Sequence, residues 1–208
     1  VTQKETKTFD PATLNKPEHI IWFDDFHGDE GKEPTNHYRF LSNFYVSEPL
    51  TIPGVEWAGT VKDMSDPIVF QTGEHAFQAF KAVSASDFED IVSAKSPGVA
   101  KRLGRKCALR QDWEGVKLDV MAAVLRAKFV LSRPEGQWLL DTGTALLTEG
   151  TFWNDDTWGV KLNQEGSPGR NWLGTLLMAR RAELAAEKLH GVTMNTVVHN
   201  VDFLLTFS

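Results

Sequence analysis

Residues 73–81 read Gly73-Glu74-His75-Ala76-Phe77-Gln78-Ala79-Phe80-Lys81. At helical spacing, Glu74, Gln78 and Lys81 (i, i+4, i+7) share one face, and Ala76, Phe77, Ala79, Phe80 and Val83 take the opposite side. A carboxylate, an amide and an amine thus line up over an aromatic face suited to a core. Two readings of this pattern compete. An ordinary amphipathic helix would keep its polar stripe in solvent, which is what the spacing alone favours. A helix anchored in the core would instead present an acid/base group and a cation to a pocket. The surrounding sequence has to decide between them.

Downstream the pattern is mostly helical. Ser86-Asp87-Phe88-Glu89 has the form of a capping box opening a short helix. Ser96-Pro97 supplies an N-cap and an N1 proline for the next helix, with Gly104 placed to end it. Val116, Val120 and Val124, with Met121 and Leu125, predict a helix over about residues 113–131. Arg133-Pro134 opens another, with Gly143 as its C′ residue, and residues 145–149 form a strand pattern. Residues 151–170 read as a long loop rich in Asn, Asp, Gly and Trp, a length that often carries function. Residues 171–189 predict a final helix, and 192–207 a β-prone stretch.

Upstream, Ile20-Ile21-Trp22-Phe23 is a strand pattern, followed by an acidic loop over residues 24–36. Phe40-Leu41-Ser42-Asn43-Phe44-Tyr45 is a second aromatic cluster. Alternating runs on either side of Pro53-Gly54 predict a β-hairpin over residues 50–57, and residues 58–70 read as a loop insertion. The expected architecture is α+β, predominantly α-helical, in a single compact domain with a few short strands. Its boundaries are an extended lead-in (1–19), the domain (20–190), and a C-terminal appendage (191–208) packed on it.

Composition narrows the function. A chain of 208 residues favours one core. The net charge of −6 argues against indiscriminate binding to nucleic acid or anionic membrane, though not against a local basic pocket. The single Cys107 rules out an intramolecular disulfide and a multi-thiolate zinc site, and it reads as a structural thiol. The six His are scattered without a metal-ligand pair, so neither a metal nor another cofactor is expected. No 18-residue apolar run or basic-then-apolar leader is visible, which leads to the expectation of a cytoplasmic protein with no membrane partner. With 7 Trp in the chain, several remain available to stack on a planar ligand.

Three constellations carry chemistry. On the first, Glu74 could act as acid, base or cation stabiliser, while Lys81 could keep it ionised, bind phosphate or attack a sugar aldehyde. The second is Lys101, Arg102, Arg105, Lys106 and Arg110, either a phosphate site or cations favoured at a helix C-terminus. The third is Phe152-Trp153-Asn154-Asp155-Asp156-Thr157-Trp158-Gly159. It offers a second carboxylate and a stacking Trp, as glycosidic cleavage requires, or an Asx-type turn beside one core Trp.

An ordered series of blocks resembles the NADAR, or YbiA-like, family. Phe40-Leu41-Ser42-Asn43-Phe44, Gly54-Val55-Glu56-Trp57 and the 73–81 segment come first. Ser96-Pro97, Gly104-Arg105, residues 110–117, Ala127-Lys128-Phe129, residues 146–149, Asn154-Asp155, Trp158-Gly159 and residues 171–178 follow in family order. The resemblance spans roughly residues 20–185 and implies a mainly helical domain that hydrolyses N-glycosidic bonds. It implies Glu74 as the catalytic carboxylate, Lys81 as its partner and Asp155 as an assisting group. Trp113 matches a family site position, and Asn43, Arg105 and Asn171 are further pocket candidates. Gln78 joins these as a supporting hydrogen-bonder, Arg105 and Arg110 as phosphate holders, and Trp158 and Gly159 as part of the same wall. Gly73 in place of the usual Ser, the 58–70 segment and Val160-Lys161-Leu162 after Trp158-Gly159 depart from the family pattern, and all bear on the substrate.

The resemblance implies two ligand classes. One is ADP-ribose on a guanine base of modified DNA or RNA, or a related conjugate. The other is a phosphoribosylamino-pyrimidine intermediate of riboflavin synthesis. A non-catalytic ADP-ribose-binding module is the alternative of another class.

Overall fold

Every residue of helix α1 (Gly73–Ala79) is buried, so the segment that opens the sequence reading is the centre of the molecule. The computed structural model describes residues 20–24, 38–52, 67–151, 155–161 and 169–191. The expected lead-in, the acidic loop after Asp24, residues 55–57 and the C-terminal appendage after Gly191 lie outside these residues. Around α1 pack α2 (Ala85–Val92), α3 (Pro97–Gly104) and α4 (Trp113–Lys128). Helix α6 (Trp172–His190) lies against α4 and α5 (Pro134–Asp141). The result is a single compact α+β domain, predominantly helical.

Two small sheets complete it. β1 (Ile20–Phe23) runs parallel to β4 (Leu146–Thr151), with Phe23 opposite Glu149. β4 is also parallel to β5 (Val160–Lys161), with Gly150 opposite Val160, giving the order β1-β4-β5. Leu147 to Thr151 are all buried, as a central parallel strand requires. The second sheet pairs β2 (Leu50–Ile52) antiparallel with β3 (Ile68–Phe70).

That pairing corrects one expectation. Residues 68–70 are a strand rather than part of an insertion and pair with β2, while the other arm of the expected hairpin, residues 55–57, lies outside the described residues. The register explains why: Leu50 opposite Phe70 puts both fully buried side chains on the core face while Thr51 and Val69 face outward. The cap of α2 is also two residues earlier than the sequence suggests, because Ser84 Oγ accepts from the Asp87 backbone N–H. Helix α4 stops at Lys128, where buried Phe129 turns extended. Ser96-Pro97 caps α3 and Gly143 follows the C-cap of α5 as expected.

His75 locks α1 in place. It is fully buried, with Nε2 2.9 Å from the Ala94 carbonyl and Nδ1 2.8 Å from Thr72 Oγ1. A carbonyl only accepts, so Nε2 carries the proton and Nδ1 accepts from the Thr72 hydroxyl. Thr72 Oγ1 in turn accepts from the His75 backbone N–H, capping the helix. Burial holds the imidazole pKa below its ordinary 6.5, against the opposing effect of the Ala94 bond. As pH falls below 6.5, the unfolded chain therefore binds a proton that the folded chain refuses. Stability is fully present above that pH and declines through the window down to the lowered folded value. Melting temperatures taken from pH 7.5 to 5.5 should fall more steeply for the wild type than for His75→Gln; parallel curves would remove His75 from this account.

Candidate active site

The polar face of α1 is not solvated. Glu74 is 5% exposed and Gln78 3%, and both line the inner lobe of a cleft. The Glu74 backbone N–H donates to the Asn43 carbonyl (3.0 Å), and Gln78 Nε2 donates to Glu74 Oε1 (2.7 Å). Phe77, assigned from the sequence to the opposite side, lies three residues after Glu74 and shares its face. Its ring walls the cleft and meets Trp113 at 5.2 Å and Trp158 edge-on at 5.1 Å. Gly104 of α3 lets the two helices approach. A Cβ there would sit 2.1 Å from Gln78 Oε1 and 2.9 Å from Gln78 Cβ.

Lys81 lies just past the helix, on a turn where its N–H donates to the Gln78 carbonyl at 3.2 Å. Its own carbonyl accepts from the Arg110 N–H at 2.9 Å, and Ala82 bridges Leu109. The Lys81 ammonium packs 5.0 Å from the Phe77 ring centroid and 5.6 Å from that of Trp113. Burial lowers its pKa; Glu74 and Cys107 oppose that shift, and Lys101 and Arg105 add to it.

The cleft has two lobes. The inner one, about 190 Å³, is lined by Asn43, Glu74, Gln78, Met121, Glu149 and Leu173. The outer one, about 310 Å³ and open to solvent, adds Trp113, Glu114, Lys117, Asp156 and Thr157. Phe77, Lys81, Lys101, Arg105, Asp155 and Trp158 line both. Asp155 Oδ1 accepts from the Thr157 and Trp158 N–H groups at 3.0 and 2.9 Å. The loop is thus an Asx-type turn and a cleft wall at once.

The structure brings Glu74, Lys81, Asp155, Asn43, Gln78, Arg105, Trp113 and Trp158 together. Three sequence candidates fall elsewhere. The Arg110 guanidinium turns to Asp112 (2.5 and 2.7 Å), lowering that carboxyl's pKa through the hydrogen bond, so Arg110 is not a cleft cation. Asn171 spends its side chain on β4, accepting from the Glu149 N–H (3.1 Å) and donating to the Leu147 carbonyl (2.8 Å). Gly159 is a packing position: a Cβ would sit 2.6 Å from Thr151 Cγ2 and 2.8 Å from the Glu149 carbonyl. Of the basic run, Lys101 and Arg105 reach the cleft, and Lys101 lies 4.8 Å from the Phe44 ring centroid. Lys117, Met121 and Glu149 join the site only in the structure, whereas Lys101 belongs to the basic run that the sequence offers as a phosphate site. Glu149 lies in one of the family-like blocks, but its burial is visible only in the fold.

Among the described residues no group of three or more His, Cys, Asp or Glu is placed to hold a metal ion, and no helix is long and apolar enough to cross a membrane.

A model of the NADAR domain matches residues 26–185. The N-glycosidase YbiA of Escherichia coli strain K12 is 38% identical over 156 residues, covering 74% of this chain and 86% of the relative. The NMR structure of the E. coli protein YbiA superposes with a TM-score of 0.61 at 32% identity, covering 89% of this chain and 99% of that one. A riboflavin biosynthesis protein of Vibrio vulnificus is 32% identical over 154 residues, which is 73% of this chain but 37% of that protein. The chain belongs to the NADAR family. Its enzyme class is that of the hydrolases of N-glycosyl bonds.

The tight seat of Gly104 gives a direct test of the α1–α3 contact. Gly104→Ala must push Gln78 off its place or part the helices, and should cost about 1–3 kcal/mol in urea unfolding. A change below measurement error would show that Gln78 moves freely.

Proposed function

We propose that this N-glycosidase removes ADP-ribose from guanine-linked ADP-ribosylated nucleic acid or a related ADP-ribose conjugate. The observation that carries the reading is the buried Glu74 at the floor of a cleft whose outer half holds Lys101, Arg105 and Lys117 beside Trp113 and Trp158. An oxocarbenium-like centre at the sugar C1 belongs beside the carboxylate, the phosphates beside the cations, and a planar base against the Trp rings. The solvent-open outer lobe suits a substrate that continues away from the site, as a nucleic-acid strand does.

Gln78, donating to Glu74 Oε1, fixes the carboxylate toward the lobe. Lys81 acts as a cation. Burial lowers its pKa, with Glu74 opposing that shift, while two aromatic faces pack against the ammonium, which is placed to hold the ring oxygen or hydroxyls of the sugar. Arg105 holds phosphate, Asp155 orients sugar hydroxyls, and Asn43 fixes Glu74 through its backbone carbonyl.

A phosphoribosylamino-pyrimidine is the second reading, supported by the similarity to a riboflavin biosynthesis protein. Both substrates place a phosphorylated ribosyl group in the same cleft. A panel read by mass spectrometry separates them, comparing guanine-linked ADP-ribose in DNA, protein-linked ADP-ribose and riboflavin-pathway ribosylamines. Free ADP-ribose released from the DNA conjugate is the expected result. Release of ribose phosphate from the ribosylamine alone would replace the first reading with the second. Binding of ADP-ribose without cleavage of anything would make the chain a reader instead.

Glu74→Gln should fold normally and lose on the order of 10²–10⁴ in kcat. Full activity in that variant would remove Glu74 from the chemistry. Borohydride added during turnover should leave Lys81 unmodified, and a reduced sugar adduct on Lys81 would replace its electrostatic role with an imine mechanism.

A further inference from the structure

Two sequence candidates that miss the cleft, Asn171 and Gly159, meet at the same place. Asn171 precedes α6 in the left-handed region (φ 50°), which turns its amide onto β4. There the amide behaves as one more strand edge, taking the Glu149 N–H and giving to the Leu147 carbonyl. Gly159 approaches the other side, where a Cβ would lie 2.8 Å from the Glu149 carbonyl and 3.3 Å from Glu149 Oε2. Only a residue without a side chain fits there without pushing on Glu149. Strand pairing adds a third restraint, since Glu149 lies opposite Phe23 of β1 and is followed by Gly150 opposite Val160 of β5. Glu149 itself is 9% exposed and lines the inner lobe that Glu74 also lines.

We infer that Glu149 is a second catalytic carboxylate of the N-glycosidase reaction, with Asn171 and Gly159 as its positioning residues. The inference rests on the N-glycosidase reading of the cleft. Cleavage needs one group beside the C1 cation and another to handle the proton of the attacking water. Asp155, the other acidic residue reaching the inner lobe, has Oδ1 committed to two backbone N–H groups of its own turn. Glu149 comes from a buried central strand, a stiffer mount than that loop.

The step balances without a cofactor. The C1–N bond breaks and its electron pair goes to the leaving nitrogen of the base. Glu74 faces the resulting cation. The oxygen of a water bonds to C1 while Glu149 takes one of its protons. That proton then passes to the departing nitrogen, which returns Glu149 to a carboxylate. One water is consumed, with no net change in oxidation state.

The test uses the full chain and whichever substrate of the panel the wild type cleaves, with Glu149→Gln and Glu74→Gln in parallel. Glu149→Gln should melt within about 3 °C of the wild type, about the shift of a 1 kcal/mol loss in a domain of roughly this size. Its kcat should fall about 10²–10³-fold with KM within threefold, and its pH–rate profile should lose one limb. Asn171→Ala should lower kcat in the same direction by a smaller factor. Sodium formate added to Glu149→Ala should restore part of the lost rate and none to Glu74→Gln. A Glu149→Gln kcat within threefold of the wild type, beside an inactive Glu74→Gln, overturns this inference and leaves the N-glycosidase reading standing. If neither Glu149 variant folds, Glu149 is a structural residue and the inference falls. If the wild type cleaves nothing in the panel, the reading and the inference fall together.

Discussion

Complete burial of α1 is the constraint on which the rest of the structure depends. A helix of seven residues has few internal hydrogen bonds, and water cannot satisfy its ends or its polar side chains when it lies in the core. Each neighbour supplies what is missing. Thr72 caps the helix, the Ala94 carbonyl takes His75, the Asn43 carbonyl takes the Glu74 N–H, and Gly104 leaves room for Gln78. A charged carboxylate in that position would be costly without such provision. Its presence there, facing a cleft, is what separates this helix from an ordinary amphipathic one.

The cleft also shows how an acidic protein gathers cations locally. The net charge of −6 makes the surface as a whole a poor host for phosphate. Lys81, Lys101, Arg105 and Lys117 nevertheless line one opening, and the first of these has its charge weakened by burial and by the cations beside it. Lys101 is set against the Phe44 ring, on the segment that also brings Asn43 to Glu74. Cation placement and carboxylate placement are thereby coupled through residues 43–44.

Helices were legible in the sequence because their caps and periods are local. Ser96-Pro97, the valine stripe of α4 and Gly143 after α5 needed nothing beyond their own neighbours. The misreadings depend on side-chain partners that local periodicity does not reveal. Residues 68–70 carry no strand signal strong enough without Leu50 and Ile52 opposite them. The face of Phe77 is set by Trp113 and Trp158, and the Arg110 guanidinium, read as a phosphate holder, is claimed by Asp112. Glu74 and Lys81 stood out by their shared helical face, and Trp113 and Asp155 by their place in the family-like blocks. Glu149 did not, because a glutamate at the end of a short strand pattern looks like a surface residue until β1 and β5 cover both its edges.

The parallel pairing of β1 with β4 has a consequence for how the cleft comes into being. Ile20–Phe23 and Leu146–Thr151 are joined through β2, β3 and helices α1 to α5, so their ladder closes a long stretch of chain. Such non-local pairing raises contact order and forms late in folding. Helices α1 to α4 are local and quick by comparison. The wall carrying Glu74 is therefore joined mainly to helices near it in sequence, and the wall carrying Glu149 to a strand more than a hundred residues away. The cleft is complete only where that long-range pairing is made, so a chain without it would hold only half of the cleft.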